Sequence, residues 1–325
     1  EVFHFAYDED GQLIEETDFS GAVTSYEYNV EGQVSAVKKH SGNIARYEYD
    51  EAGRVSEVIH DDGSSIYYEY DARGLLTNAD NKVCPVSFKY DDLGRSIREE
   101  QGEHVIESKY DQLNNRILRK CSLGGVTEFE WNPNGQIISV KPAGFEPLMF
   151  EYDDRGQESK RMLGTGLVFN HKVDTRGRLV EQILKQKSDT TQPLVQRKYQ
   201  YDAASNLLSK QDSVWGTTRY TYDVLDRIES VLHPDRSLEQ VGYDANDNIV
   251  NYQQLSDGTK SSDFIGSESK QSWRYIRGGK LVERDGTVYK YDKDGQLCSR
   301  TDSKGKTNFR WNAQGQLIST RKPDG

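Results

Sequence analysis

Aromatic and polar residues alternate in short runs along almost the whole chain. The run Tyr47-Glu48-Tyr49 recurs twenty-one residues earlier as Tyr26-Glu27-Tyr28 and twenty-one residues later as Tyr68-Glu69-Tyr70. A spacing of two puts both rings on one face of a strand and the polar residue on the other. Further pairs are Phe5/Tyr7, Phe88/Tyr90, Phe129/Trp131, Phe150/Tyr152, Tyr199/Tyr201, Tyr220/Tyr222, Tyr289/Tyr291 and Phe309/Trp311. Stacked strand on strand, these pairs predict aromatic ladders on a half-wet face, where a tyrosine hydroxyl can reach water or a neighbour.

Each run ends in the phrase Tyr-Asp-x-x-Gly-x-(Leu/Ile/Val). Its first residue, the anchor, falls at Tyr7, Tyr28, Tyr49, Tyr70, Tyr90, Tyr110, Trp131, Tyr152, Val173, Tyr201, Tyr222, Tyr243, Tyr291 and Trp311, with a degenerate copy at Tyr275. That makes fifteen units at a period near 21, the signature of a repeat architecture. The turn residues that define it most clearly are Tyr28 and Gly32; Tyr49, Asp50 and Gly53; Tyr70, Asp71 and Gly74; Tyr152, Asp153 and Gly156; and Tyr291, Asp292 and Gly295. Asp suits the first position of a type I turn, where its carboxylate accepts from backbone amides, and Gly suits a positive φ three residues on. Where glycine is missing the residue is Asn114, Asp226, Asp247 or Ser205. Asn and Asp tolerate the left-handed conformation best, and Ser205 fits it worst.

In the outgoing strands Val34 and Val37, Val55 and Val58, Ile137 and Val140, and Ile228 and Val231 are three apart. Strict alternation fails there, and a β-bulge would reconcile it. A looser second turn closes each unit, at Ser41-Gly42, Asp62-Gly63, Gly124-Gly125, Ala143-Gly144, Pro234-Asp235, Asp285-Gly286 and Lys304-Gly305. Each unit is therefore strand, turn, strand, turn, and fifteen units give about thirty antiparallel strands. Irregular insertions fall near 182–196, read as a lengthened hairpin tip, and near 255–272, read as an exposed loop. The grammar resumes after both, so residues 1–325 are expected to form one repeat segment.

Strands lie about 4.8 Å apart, so fifteen two-stranded units make a ribbon about 150 Å long. Such a sheet must curl or split. Curled once, it would be about 50 Å across, too wide for side chains to fill. The expected fold is all-β: repeated antiparallel hairpins in a long curled strip, part of a hollow shell.

Composition agrees with a thin structure. Hydrophobic residues make up 34% of the chain and the mean hydropathy is -0.85. The net charge of -11 speaks against nucleic acid and anionic membranes as partners. No run of about 18 apolar residues predicts a membrane span, and no signal peptide opens the segment. Both ends fall in mid-pattern, so a longer protein is expected. Cys84, Cys121 and Cys298 are far apart and odd in number, which argues against disulfide and zinc frameworks; they read as scattered strand residues.

The repeated phrase resembles the Rhs/YD repeats of bacterial Rhs proteins, of the C component of Tc toxin complexes, and of animal teneurins. The likeness covers about Phe5 to Asp324. It implies a β-strip that spirals into a hollow cocoon around a C-terminal toxin domain of the same polypeptide. It implies manufacture in the bacterial cytoplasm and export by a dedicated system, type VI secretion among them, for interbacterial competition. A secretion-spike protein, a chaperone or a TcB-like subunit are the further partners implied. The stretch from Arg197 to Gly325 looks like the later part of an Rhs core. Its Asp-Pro-x-Gly-Leu cleavage motif and a PAAR-like domain are absent from this segment, so no catalytic residue of the family carries over.

Chemistry beyond the turns is sparse. Asp8-Glu9-Asp10-Gly11 and Asp292-Lys293-Asp294-Gly295 resemble calcium loops faintly, without the full pattern. His4, His40, His60, His104, His171 and His233 occupy differing places in the repeat and form no metal-ligand or Ser/His/Asp spacing. No catalytic, cofactor-binding or metal residue is expected, and no enzyme activity within this segment. Two readings stay open: an encapsulating wall, or an adhesin wall of teneurin or Tc type whose tyrosines, Tyr49 and Tyr70 among them, bind glycans or a protein.

Overall fold

A computed structural model describes residues 2–188, 192–255 and 273–323. Within them the chain forms thirty strands and no helix, so no helix is long and apolar enough to cross a membrane. Twenty-four strands, from His4–Tyr7 to Ile249–Leu255, belong to one open antiparallel sheet; six, from Arg274–Ile276 to Leu317–Arg321, form a second. The loop expected over 255–272 lies outside the described residues apart from Leu255, which ends a strand.

The register explains the spacing of the apolar positions. Tyr47 faces Val58 and Glu48 faces Glu57, but Tyr49 faces Val55, so Ser56 is an extra residue in the outgoing strand. The same shift precedes Tyr28, Tyr152 and Trp311. This is the expected bulge, and it turns a three-residue spacing back into a one-face pattern.

The turns follow the sequence closely. Gly32, Gly53, Gly74, Gly156 and Gly295 all have positive φ, 77° at Gly53. Asn114, Asp226, Asp247 and Ser205 take the same conformation without glycine, at 68°, 60°, 63° and 79°. In the second turn at Pro234-Asp235 the left-handed residue is the next one, Arg236, at 65°. Of the insertion over 182–196, read as a lengthened hairpin tip, residues 189–191 lie outside the described residues; on either side of them the strands Leu179–Gln186 and Val195–Tyr201 pair as far as Leu184 and Val195. The strand Leu179–Gln186 continues into it, because the long neighbour Leu167–Val173 offers pairing partners as far as Leu167 and Gln186.

There is little core. Among the described residues the buried apolar side chains are Ala36, Val58 and Val168. Side chains on the anchor face are half-buried while the alternating polar ones are exposed, as in Ile44–Tyr49. The chain divides into two compact units. One holds residues 2–86, 242–252 and 273–323; the other holds 87–188, 192–241 and 253–255.

Candidate functional site: the repeated turn and its ties

At the anchor turn the amide of Asp50 donates to the Arg54 carbonyl (2.8 Å) and that of Gly53 to the Asp50 carbonyl (2.9 Å). Asp50 Oδ1 accepts from the amides of Ala52 (2.9 Å) and Arg54 (3.0 Å). The turns at Asp71 and Asp153 repeat this pattern, and so does Asp292, with Asp294 and Gln296 as donors. Asp8 does likewise. The two loops that resembled calcium sites thus spend a carboxylate oxygen on their own turn. No cluster of three metal-ligating side chains occurs among the described residues.

The second carboxylate oxygen is met four residues on by a matched partner. Arg54, Arg95, Arg178 and Arg227 pair with Asp50, Asp91, Asp174 and Asp223 at 2.6–2.7 Å. Where the turn begins with Asn the partner is Gln, whose Oε1 accepts from the Asn amide, as in Asn29–Gln33 and Asn132–Gln136. Asp111 and Asp202 are met by Asn115 and Asn206. These contacts hold the carboxyls below the usual range. The Arg side chain is the leading cause at Asp50 and Asp223; the amide four residues on leads at Asp71, Asp91, Asp174 and Asp202.

The anchor ring ties each repeat to the one before. Tyr49 donates its hydroxyl to the Val34 carbonyl (2.7 Å), beside the preceding bulge. Tyr28, Tyr70 and Tyr152 do the same to Leu13, Val55 and Ile137 at 2.8, 2.9 and 2.7 Å. Tyr291 reaches the Leu281 carbonyl at 2.8 Å. Trp131 and Trp311 use the indole N–H, each at 2.9 Å, on Arg116 and Leu297. The tie needs a donor, which is why phenylalanine stands at five positions two residues before an anchor and at none of the fifteen anchors. That contrast is the sequence signal for these ties. Desolvation, with Tyr47 nearby, raises the Tyr49 phenol; desolvation and a hydrogen bond to Glu16 push Tyr26 up to about 12.

Arginine makes the third tie. Arg54 donates to the next turn's Asp71 carbonyl (3.3 Å) and lies 4.6 Å above the Tyr70 ring. Arg95 over Tyr110 and Arg178 over Tyr201 repeat the stack at 5.0 and 4.9 Å. Among the described residues the ring pairs Phe88–Tyr90 and Phe169–His171 each lie within one strand, not in the expected ladder from repeat to repeat. Each incoming strand is flanked by outgoing strands, so Tyr47 faces Val58 and Tyr68 faces Ala79. Tyr49 and Tyr70, the candidate glycan platforms, have their hydroxyls bound to backbone and, at Tyr70, the ring covered.

Around Val173 the pattern gives way to a polar chain on the anchor face. Arg161 grips Glu158, Glu158 lies 3.3 Å from His171, His171 meets Gln182 at 3.1 Å, and Arg197 joins Gln182 to Asp212. Burial pushes the Asp212 carboxyl up, but Arg197 and the amides of Val214 and Trp215 more than offset it, leaving it low. A fully satisfied chain of this kind specifies register.

In the unit that holds both chain ends, three second-turn tips meet three anchor turns from the end of the chain. Lys280 donates to Ser20 Oγ (3.2 Å), the Ser41 amide to Asp294 (2.8 Å) and the Ala313 amide to Asp62 (3.2 Å). The contact is close: a Cβ on Gly278 would stand 2.6 Å from that of Ser20. All three cysteines are free thiols. Cys121 and Cys298 are in strands, but Cys84 is not: Asn81 takes the amides of Val83 and Cys84 and bends the chain there.

The profile of the Teneurin YD-shell family matches residues 1–157 and 169–325. Double-stranded DNA deaminase toxin A of Burkholderia cenocepacia (strain H111) is 25% identical over 244 residues, covering 74% of this chain and 16% of that protein. Probable deoxyribonuclease RhsB of Dickeya dadantii (strain 3937) is 26% identical over 258 residues, covering 74% and 17%. The chain thus spans about a sixth of the length of these relatives. The crystal structure of TcdB2-TccC3 superposes with a TM-score of 0.74 at 15% identity, over 98% of this chain and 21% of that one. The Tc holotoxin pore of Photorhabdus luminescens also gives 0.74 at 15%, over 98% and 20%. At that identity the likeness is one of fold.

Proposed function

Because the chain belongs to the Teneurin YD-shell family, we propose that it is a wall segment of a bacterial Rhs-type toxin, confining a toxic domain of the same polypeptide until delivery. The observation that carries this reading is where the polar chemistry goes. The conspicuous groups of the repeat, the anchor donor, the turn carboxylate and the arginine, are spent on the turn or on a neighbouring repeat, as at Tyr49, Asp50 and Arg54. Such a strip has a purpose only as a surface that encloses or separates. Deaminase and nuclease activity, named for the relatives, belongs on this reading to regions outside the segment, and the wall itself is not an enzyme. Residues 1–325 act as one run of wall, with the turns at Tyr28, Tyr49, Tyr70, Tyr152 and Tyr291 as its joints. Export by a dedicated machine such as type VI secretion, use against competing bacteria, and docking of a spike, chaperone or TcB-like subunit complete the proposal.

The test uses the full-length protein. Gly53→Val together with Gly74→Val should breach the wall, so that limited proteolysis reaches the toxic domain and producing cells lose viability. Unchanged protection of that domain, with the turns shown to be distorted, would sink the reading.

A further inference from the structure

The anchor tyrosines are spent, but two rings that stand two residues before an anchor are not. Tyr47 and Tyr68 lie on successive incoming strands, either side of the buried Val58, which faces Tyr47 in one pairing and Ile66 in the other. Both rings are half-buried, and neither hydroxyl has a hydrogen-bond partner among the described residues. One repeat earlier Tyr26 gives its hydroxyl to Glu16 at 2.8 Å. The fold needs no hydroxyl at this step, since Phe5, Phe88, Phe129, Phe150 and Phe309 hold it in other repeats. Desolvation raises the Tyr68 phenol, and the nearby phenols of Tyr70 and Tyr47 add to it. The two rings line a cavity of about 460 Å³ whose floor is completed by Val37, Val58 and Ile66, a volume in the range of small-molecule sites. Its roof is the anchor turn at Ala313 and Gln314, seated on the Asp62 tip by the Ala313 amide (3.2 Å).

The polar rim includes Lys39, Asn43, His60 and Gln314, and no carboxylate lines the cavity. Lys39 has no ion-pair partner among the described residues. The carboxylates of the adjoining tip are engaged: Asp61 holds Arg46 at 2.9 Å, and Asp62 takes Ser64 and the Ala313 amide. In a chain with a net charge of -11 this is a pocket free of negative charge. We propose that it binds one acidic sugar residue, a pyranose bearing a carboxylate. The C–H face of the ring packs on the apolar floor and on the tyrosines, whose negative ring faces attract partly positive hydrogens. Phenols and carboxamides both donate and accept, as sugar hydroxyls do, so Tyr47, Tyr68, Asn43 and Gln314 can meet them in either sense. A lysine with no arginine beside it in the lining suits a single carboxylate, whereas phosphate draws on clustered donors. The site is independent of any enclosing role.

The test is an NMR titration of the whole chain, following the tyrosine ring signals and the Ile66 methyls. Probes are methyl glucuronide, its neutral counterpart methyl glucoside, and adenosine monophosphate. Methyl glucuronide should saturate in the millimolar range, the glucoside should bind several-fold more weakly, and the nucleotide should give no saturable response. Tyr47→Phe combined with Tyr68→Phe should weaken glucuronide binding about tenfold, as the loss of two hydrogen bonds implies, without moving the unfolding midpoint. Lys39→Gln should bring the glucuronide down to the level of the glucoside. Tyr220→Phe, at the same step of a repeat outside the pocket, should change nothing. No saturation, undiminished binding in the double variant, or an equal loss in Tyr220→Phe overturns the site. Nucleotide binding as tight as that of the glucuronide rejects the sugar as its ligand, and equal affinity of the unaltered chain for both glycosides rejects the carboxylate.

Discussion

Between Tyr28 and Leu76 each repeat is fastened to the one before by an anchor hydroxyl on a bulge carbonyl, and the stretch around Val173 lacks that bond. The two regions share turn geometry: Gly53 and Gly177 have φ of 77° and 80°. They share the bulge as well, at Tyr49 and at Val173. They differ in what joins neighbouring repeats. In the first, a ring donor and an arginine span the gap. In the second, long strands and the chain from Glu158 to Asp212 hold register. The hairpin is therefore separable from its fastening. Stability in such a strip is close to a sum of repeat and nearest-neighbour terms, so each can be altered alone.

The largest effect should come from breaking the part both regions share. Gly53→Val puts a β-branched residue at φ 77°, with its Cβ 2.9 Å from Gln33 Nε2. A cost of about 1–3 kcal/mol is expected, and Gly177→Val should cost as much. Glu51→Ala, at an exposed turn position, should stay within about 0.5 kcal/mol. Equal denaturant midpoints for Gly53→Val and Glu51→Ala would contradict the turn assignment.

The next effect separates the regions. Tyr49→Phe keeps the ring and loses the bond to Val34, for about 1 kcal/mol. Val173→Tyr supplies the missing donor and should gain up to a similar amount. Loss of stability on that change, in chemical denaturation, would mean that the polar chain and the ring cannot coexist.

Arg54→Leu should cost less than Tyr49→Phe, because its bond to the Asp71 carbonyl and its stack are partly exposed and screened. A larger loss than at Tyr49 would reverse the ranking of the ties.

The smallest change per site is in the acid response. The carboxyls of Asp50, Asp71, Asp91, Asp174, Asp202 and Asp223 are depressed in the folded chain. Their stabilisation is full above the ordinary carboxylate range, near pH 4, and is lost as the pH falls through the folded values. Asp50→Asn should lower the urea midpoint at pH 7 and lose less of it on going to pH 3 than the parent does.

The sequence by itself determined the hairpin. Tyr-Asp-x-x-Gly is a local instruction: its aspartate, its left-handed residue and the bulge after it depend on neighbours within a few positions, so period and alternation reveal them. Even Asn114, Asp226, Asp247 and Ser205 were legible as left-handed substitutes for glycine. The tertiary structure decided what each hairpin is tied to. That Tyr49 binds Val34, that Arg54 lies on Tyr70, and that Ser41 meets Asp294 are contacts between residues 15, 16 and 253 apart. The absence of phenylalanine from the anchors marked the first of them, but only the carbonyl exposed beside a bulge explains it. Ring ladders were expected from alternation alone, but in the paired strands Tyr47 faces Val58 and Tyr68 faces Ala79, because an outgoing strand stands between the two incoming ones. A local pattern fixes φ and face; the partner across the gap is set by which strands the sheet brings side by side.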